Sequence, residues 1–476
     1  MLKYGCILST ISSKIATSSS SGGSDNVKRN TIGQIICEYG IMDITKPTKI
    51  LGDDFKNEGN IGITINKTEI KFTKEYKFEN FEKVKIIYEV YAPINMDYMF
   101  KDVITLSNVM IYSDLDAKVT SMTSTFENCQ NLNDVTFSGF NTAEVKSVKN
   151  LFYNSGLDLI NLLGFKTDSV EDFSYMFANI KSSNINLEYF KTDNAKNMSH
   201  MFYESNLISL DLSKFITSNV EDMSYMFAGI GEINSLDIKH FDTKNVKNMA
   251  GMFKECYSLD SIDISNFDTS QVTDMSEMFQ HCEKTRFLVV QNFKTDNVTN
   301  MAAMFQGCTW LFEVFIDKFK TQNVRNMSHM FENCEHLNEM DVTNFNTSIV
   351  TDMSAMFRGL LEIFVLDLTN FDTKEVVNMS SLFDGCKYMT WITLNKFNTS
   401  KVRDMSNMFR DNFQLTSIDI SNFDTKNVVT MSSMFEYCYV LTSIELKNFD
   451  TSQVTDMYKL FSGLRKVKEL NFANFN

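Results

Sequence analysis

The sequence has 476 residues, with 60 acidic against 45 basic side chains and a formal charge of −15. That balance argues against general nucleic-acid binding, which needs clustered Lys and Arg, and no apolar run approaches the roughly 18 residues of a membrane span. Only 2 Pro and 18 Gly exclude a collagen-like or linker-rich chain, whereas 41 Phe and 29 Met point to one core position reused many times.

In chain order, residues 1–30 come first. The apolar stretch Leu2 to Ile11 is too short for a secretory signal. Behind it, Ser18 to Ser21, Gly22 and Gly23 form a flexible tether, and the whole segment would suit docking into a larger assembly. Residues 31–92 hold strand-like runs, Ile61 to Ile65 and Val84 to Tyr91, and are expected to form a β-rich cap or attachment module.

From residue 93 to 476 the chain repeats. The phrase beginning Val220-Glu221-Asp222-Met223 returns at Val246, Val272, Val298, Val324, Val350, Val376, Val402, Val428 and Val454, in steps of 26 residues. Upstream it continues at Ala195, Val170, Val145, Val119 and Pro93, in steps of 25 or 26, which makes 15 units. A Phe stands seven residues after every anchor, from Phe100 to Phe461, and Met columns lie three and six residues after it. A fixed period of this length is the signature of a solenoid, in which stacking supplies the core that one unit lacks. Within a unit, Ser261 to Ser265 alternates apolar and polar and predicts a short strand with Ile262 and Ile264 inward. Val272, Met275, Met278 and Phe279 then predict about two turns of helix, capped near Thr269 and with Asp274 at its start. The expected fold class is thus an α/β repeat solenoid, with a short strand and a short helix per unit, behind a small β-rich N-terminal region.

The segments Ser265 to Cys282 and Ser421 to Cys438 resemble the BspA-type leucine-rich repeat, in the version found in mycoplasma surface lipoproteins. This resemblance implies display outside a cell and adhesion to a host protein or glycan.

Cys129, Cys256, Cys282, Cys308, Cys334, Cys386 and Cys438 share one repeat position with Ile180 and Leu360, a pattern that reads as a small core slot holding free thiols. Asp211, Asp237, Asp263, Asp341, Asp367, Asp419 and Glu445 form an outward acidic column, expected to be a hydrated face. The five histidines are scattered over different units, and the familiar nucleophile, zinc, Walker and dinucleotide motifs are absent. No catalytic site, cofactor or metal is expected.

One stretch breaks the pattern. Phe287, Val289, Trp310, Phe312, Phe315, Phe364, Val365, Tyr388 and Trp391 stand where other units place Ser, Asp or Thr, and they include both tryptophans of the chain. Strand alternation turns Phe287, Val289, Phe315, Val365 and Trp391 outward. Clustered exposed aromatics mark interaction sites. The expected function is a non-enzymatic, surface-displayed binding protein that uses this face. Two alternatives are a virion fibre or decoration subunit docked through its N-terminus, and an intracellular scaffold. Self-association through the N-terminus or the open C-terminal end is a further expectation.

Overall fold

The computed structural model describes residues 29–80, 82–158, 160–473 and 475, without the side chains of residues 160 and 161. The proposed docking stretch Leu2 to Ile11, the Ser/Gly tether and Cys6 lie outside the described residues. Residues Ile32–Asn476 form one compact unit. Among the described residues no helix is long and apolar enough to cross a membrane.

The N-terminal region is a sheet that merges into the first coils. Strand Gly33–Gly40 lies between Lys83–Val90 and Leu106–Tyr112, antiparallel to both. Ile61–Ile65 and Thr68–Ile70 extend one edge. On the other edge Leu106–Tyr112 pairs in parallel with Asp134–Ser138, the strand of the next repeat. Beneath the sheet, the Tyr39 and Tyr88 hydroxyls both donate to the Ile50 carbonyl, at 2.7 and 2.8 Å. Tyr88 also meets Phe100 edge-on at 5.7 Å, so the core of this region runs directly into the Phe column.

Downstream the coils stack in register. The Phe rings seven residues after each anchor form one continuous ladder, from the Phe100–Phe126 pair at 5.6 Å to the Phe435–Phe461 pair at 6.1 Å. The flanking Val and Met columns are buried beside it, except in the last unit, where Val454 is half-buried and Met457 exposed. Strands inside the coils are two residues long, as at Ser261–Ile262 and Phe287–Leu288.

The helix expected in each unit does not form. In the unit from Val272, the Met278 N–H donates to the Met275 carbonyl and the Cys282 N–H to the Phe279 carbonyl, both three residues back. Inside each of these turns sits a left-handed residue, Glu277 at φ 58° and His281 at φ 57°. A left-handed third residue is the mark of a type II turn and is incompatible with a right-handed helix. The alternate N–H groups, of Met275, Glu277, Phe279 and His281, leave the coil altogether. They donate to the Asn300, Ala302, Met304 and Gln306 carbonyls of the next unit at 2.7 to 3.1 Å. From Met275 to Cys282 every backbone donor is thus spent either in a turn or between coils, and none remains for a helical i→i−4 bond. The same two left-handed positions recur throughout, from Tyr98 and Asp102 in the first unit to Lys459 and Gly463 in the last. The fold is therefore a β-solenoid of strands and type II turns.

Side chains close the remaining corners. Thr269 does not cap a helix: its hydroxyl donates to the Lys294 carbonyl at 2.9 Å and accepts from the Lys294 N–H at 2.8 Å, which latches one coil to the next. The buried threonines Thr243, Thr321, Thr347, Thr373 and Thr399 occupy the same position. Asp274 accepts from the Ser276 N–H at 2.8 Å and hydroxyl at 2.7 Å, an Asx turn in place of a helix start. The cysteine column lies in the core and its thiols are free. The Cys282 thiol donates to the Phe253 carbonyl of the previous coil at 3.1 Å. Where Asn412 replaces cysteine, its amide reaches Phe383 in the same way at 2.7 Å.

Candidate functional site

The exposed face of the strand layer is built by one repeat rule. Of two alternating positions per coil, one side chain enters the core and the next faces solvent. Leu288, Val290, Val314, Ile316, Leu366, Leu368, Ile392 and Leu394 are buried. Their neighbours Phe287, Val289, Phe315, Val365 and Trp391 are exposed, Phe287 by 64% and Trp391 by 48%. At the preceding bend, Trp310, Phe364 and Tyr388 are also exposed and Phe312 is half-buried.

Two groups result. In the first, Phe312 contacts Phe287 at 6.3 Å and Trp310 at 6.4 Å between ring centroids. His336 joins it from the next coil, 4.6 Å from Trp310 and 5.9 Å from Phe312. In the second, Val365 and Trp391 are directly paired on adjacent strands, and the Thr390 N–H donates to the Phe364 carbonyl at 3.0 Å. Between the two groups runs a polar strip. Glu313 pairs with Phe287 on one side and bridges to Glu339 on the other. His336 meets Glu362 through Nδ1 at 2.8 Å.

His336, Glu313, Glu339 and Glu362 escaped the sequence reading because it grouped residues by type. The usable signal was column membership: Trp310, His336, Glu362 and Tyr388 occupy one repeat position, and Phe287, Glu313, Glu339, Val365 and Trp391 another. A second missed feature lies near the turns. Tyr175, His200 and Tyr225, all left-handed, stack at 4.2 and 4.8 Å, so His200 is held in a ring stack rather than in a free surface slot. Burial there pulls the His200 imidazole below its ordinary value.

The acidic column works locally as turn chemistry. Asp263 accepts from the Ser265 hydroxyl at 2.6 Å and from Lys239 at 2.8 Å, and chiefly Lys239 lowers its carboxyl to about 2. Asp341 and Asp367 hold the N–H groups of Thr343 and Thr369 at 2.9 Å. Among the described residues no three His, Cys, Asp or Glu side chains converge as a metal site requires.

One family model agrees with the repeat. The family described as "Mycoplasma protein of unknown function, DUF285" matches residues 71–158, 120–235, 207–288, 282–389 and 360–475. The chain belongs to this family. The matches run from residue 71 to 475 and so take in the aromatic face and the strands Lys83–Val90, Leu106–Tyr112 and Asp134–Ser138 of the N-terminal sheet. None of the curated proteins matches the sequence. Among solved structures, a leucine-rich repeat protein from Bacteroides ovatus ATCC 8483 is similar at 16% identity with a TM-score of 0.34. The similarity covers 76% of this chain and 94% of that one.

Proposed function

We propose that the protein is a non-enzymatic binding protein, displayed on a cell surface, that contacts a partner protein or glycan through the face from Phe287 to Trp391. One observation carries the reading. Phe287, Val365 and Trp391 are exposed at the strand position that holds Ser235, Ser261, Ser417 and Ser443 elsewhere, and Trp310, the other tryptophan, is exposed at the bend before it. Leaving such surface in water is costly, and covering it on binding returns that cost. The DUF285 repeat and the solenoid architecture support a binding role, because a stack of coils offers a long, regular surface for contact.

The test is adhesion of the purified full chain to cultured host cells. A Trp310→Ala, Trp391→Ala double variant is expected to lose binding by tenfold or more, as central aromatic anchors do. Its unfolding curve should match that of the parent, since both side chains are exposed. Undiminished adhesion would defeat the proposal. Immunolabelling of intact cells tests the display.

A further inference from the structure

The aromatic face has an unusual charge pattern. Along its outward columns, between Phe287 and Trp391, stand Glu313, Glu339, Asp341 and Asp367, with no Lys or Arg. Elsewhere several carboxylates are paired across coils. Glu171 meets Lys196 at 2.7 Å, Glu221 meets Lys247 at 2.6 Å, Glu332 meets Arg358 at 3.1 Å and Asp384 meets Arg410 at 2.7 Å. Asp341 and Asp367 are engaged in their own turns. Glu313 and Glu339 differ from all of these. They bridge on adjacent strands, one like charge beside the other, and no basic side chain forms an ion pair with either among the described residues. Neighbouring like charges repel, and a cation placed over them removes the repulsion. The nearby basic side chains Lys284, Arg286 and Lys387 lie at the bend positions, off these columns.

We propose that this face takes a basic protein segment in extended form, with its Arg or Lys cations over the Glu313–Glu339 pair and its flanking side chains against Phe287 and Trp391. The inference rests on the reading of this face as a binding surface and adds the chemistry of the partner. Charge complementarity selects the occupant. Aromatic faces attract guanidinium and ammonium groups, so the ends and the middle of the row favour the same ligand. A polyanion is repelled. A sugar needs donors as well as acceptors beside its stacking platform, and the columns between the aromatics offer carboxylates. From Phe287 to Trp391 is four strand steps, about 19 Å, which a peptide of about six extended residues spans.

The test uses the full chain and three dye-free octapeptides, of alternating Ala-Arg, Ala-Gln and Ala-Glu. Both tryptophans of the protein lie in the face, so their fluorescence reports binding directly. The Ala-Arg peptide is expected to bind and the Ala-Glu peptide to leave the signal unchanged. A Glu313→Gln, Glu339→Gln double variant, isosteric with the parent and so expected to fold normally, should weaken the Ala-Arg peptide by about tenfold and flatten its salt dependence. Equal binding to parent and Gln variant, preference for the Ala-Gln peptide, or no binding of the Ala-Arg peptide each overturns the inference. The reading of the face as a binding surface falls separately, when the Trp310→Ala, Trp391→Ala variant adheres to cells as the parent does.

Discussion

Replacing Gly251 with Ala separates the turn architecture from a helical one by the sign of a stability change. Gly251 occupies the first left-handed position of the unit from Val246, at φ 58°. A methyl group there would collide with the Tyr225 ring of the previous coil. That ring is stacked on His200 at 4.8 Å and donates its hydroxyl to Glu277 at 3.3 Å. Holding an L-residue left-handed costs about 1–2 kcal/mol. Displacing the ring costs about 0.5–1.5 kcal/mol of stacking. The reduced freedom of the unfolded chain returns about 0.4–1 kcal/mol. The net is a loss of about 0.5–3 kcal/mol. In a helix the same substitution would stabilise by about 1 kcal/mol. Urea unfolding followed by circular dichroism measures the difference, and amide exchange locates it, because each coil contacts only its neighbours. A raised midpoint with slowed exchange around residue 251 would refute the type II turn account.

Further consequences can be checked in the same way. Phe279 is fully buried between Phe253 and Phe305, at 5.7 and 5.8 Å, so Phe279→Ala should cost about 3–5 kcal/mol, whereas Phe287→Ala on the exposed face should cost under about 0.5 kcal/mol in urea unfolding. Thr321→Val removes a hydroxyl that donates to the Asn346 carbonyl at 3.0 Å and accepts from its N–H at 2.7 Å, and should cost about 1–3 kcal/mol by the same assay. The bond to Glu332 raises His329 above its ordinary value, so its stabilisation is complete below about pH 6.5 and is lost as pH rises through the higher folded value. Burial lowers His200, whose contribution is instead present above about pH 6.5 and lost as pH falls. NMR titration should therefore find His329 titrating above His200, and the reverse order would contradict both assignments.

The core was legible in the sequence because burial repeats with the period: Phe279, Met275 and Cys282 recur at fixed offsets, and a column that tolerates only apolar or small residues must face inward. The conformation of the same segment was hidden. Apolar residues at Val272, Met275, Met278 and Phe279 fit one face of a helix and fit equally well two consecutive type II turns, since both bring every third or fourth residue inward. What decides between them is the bonding of the alternate N–H groups to the next coil, a contact between residues about 25 positions apart. The signal for left-handed backbone was present, in the Gly, Asn and Asp that recur at Gly307, Asn333, Gly359, Gly385 and Asp411, but Glu255 and His281 in equivalent positions diluted it. Thr269 was read locally as a cap because its partner, Lys294, belongs to another coil. The aromatic face was visible from alternation alone, while the meeting of Trp310 with His336, and of Glu313 with Glu339, required the repeats to be laid side by side.

The most direct test of the binding face is site-specific photo-crosslinking on host cells. A photoreactive phenylalanine is introduced at Phe287 or at Trp391, and in control proteins at Ser261 or Ser417, the same strand position in coils outside the aromatic cluster. All four positions lie on one column, so they present the probe in the same way. Crosslinks to a host component are expected from positions 287 and 391 and to be lacking at 261 and 417. Equal yields at all four positions would contradict the assignment of binding to this face.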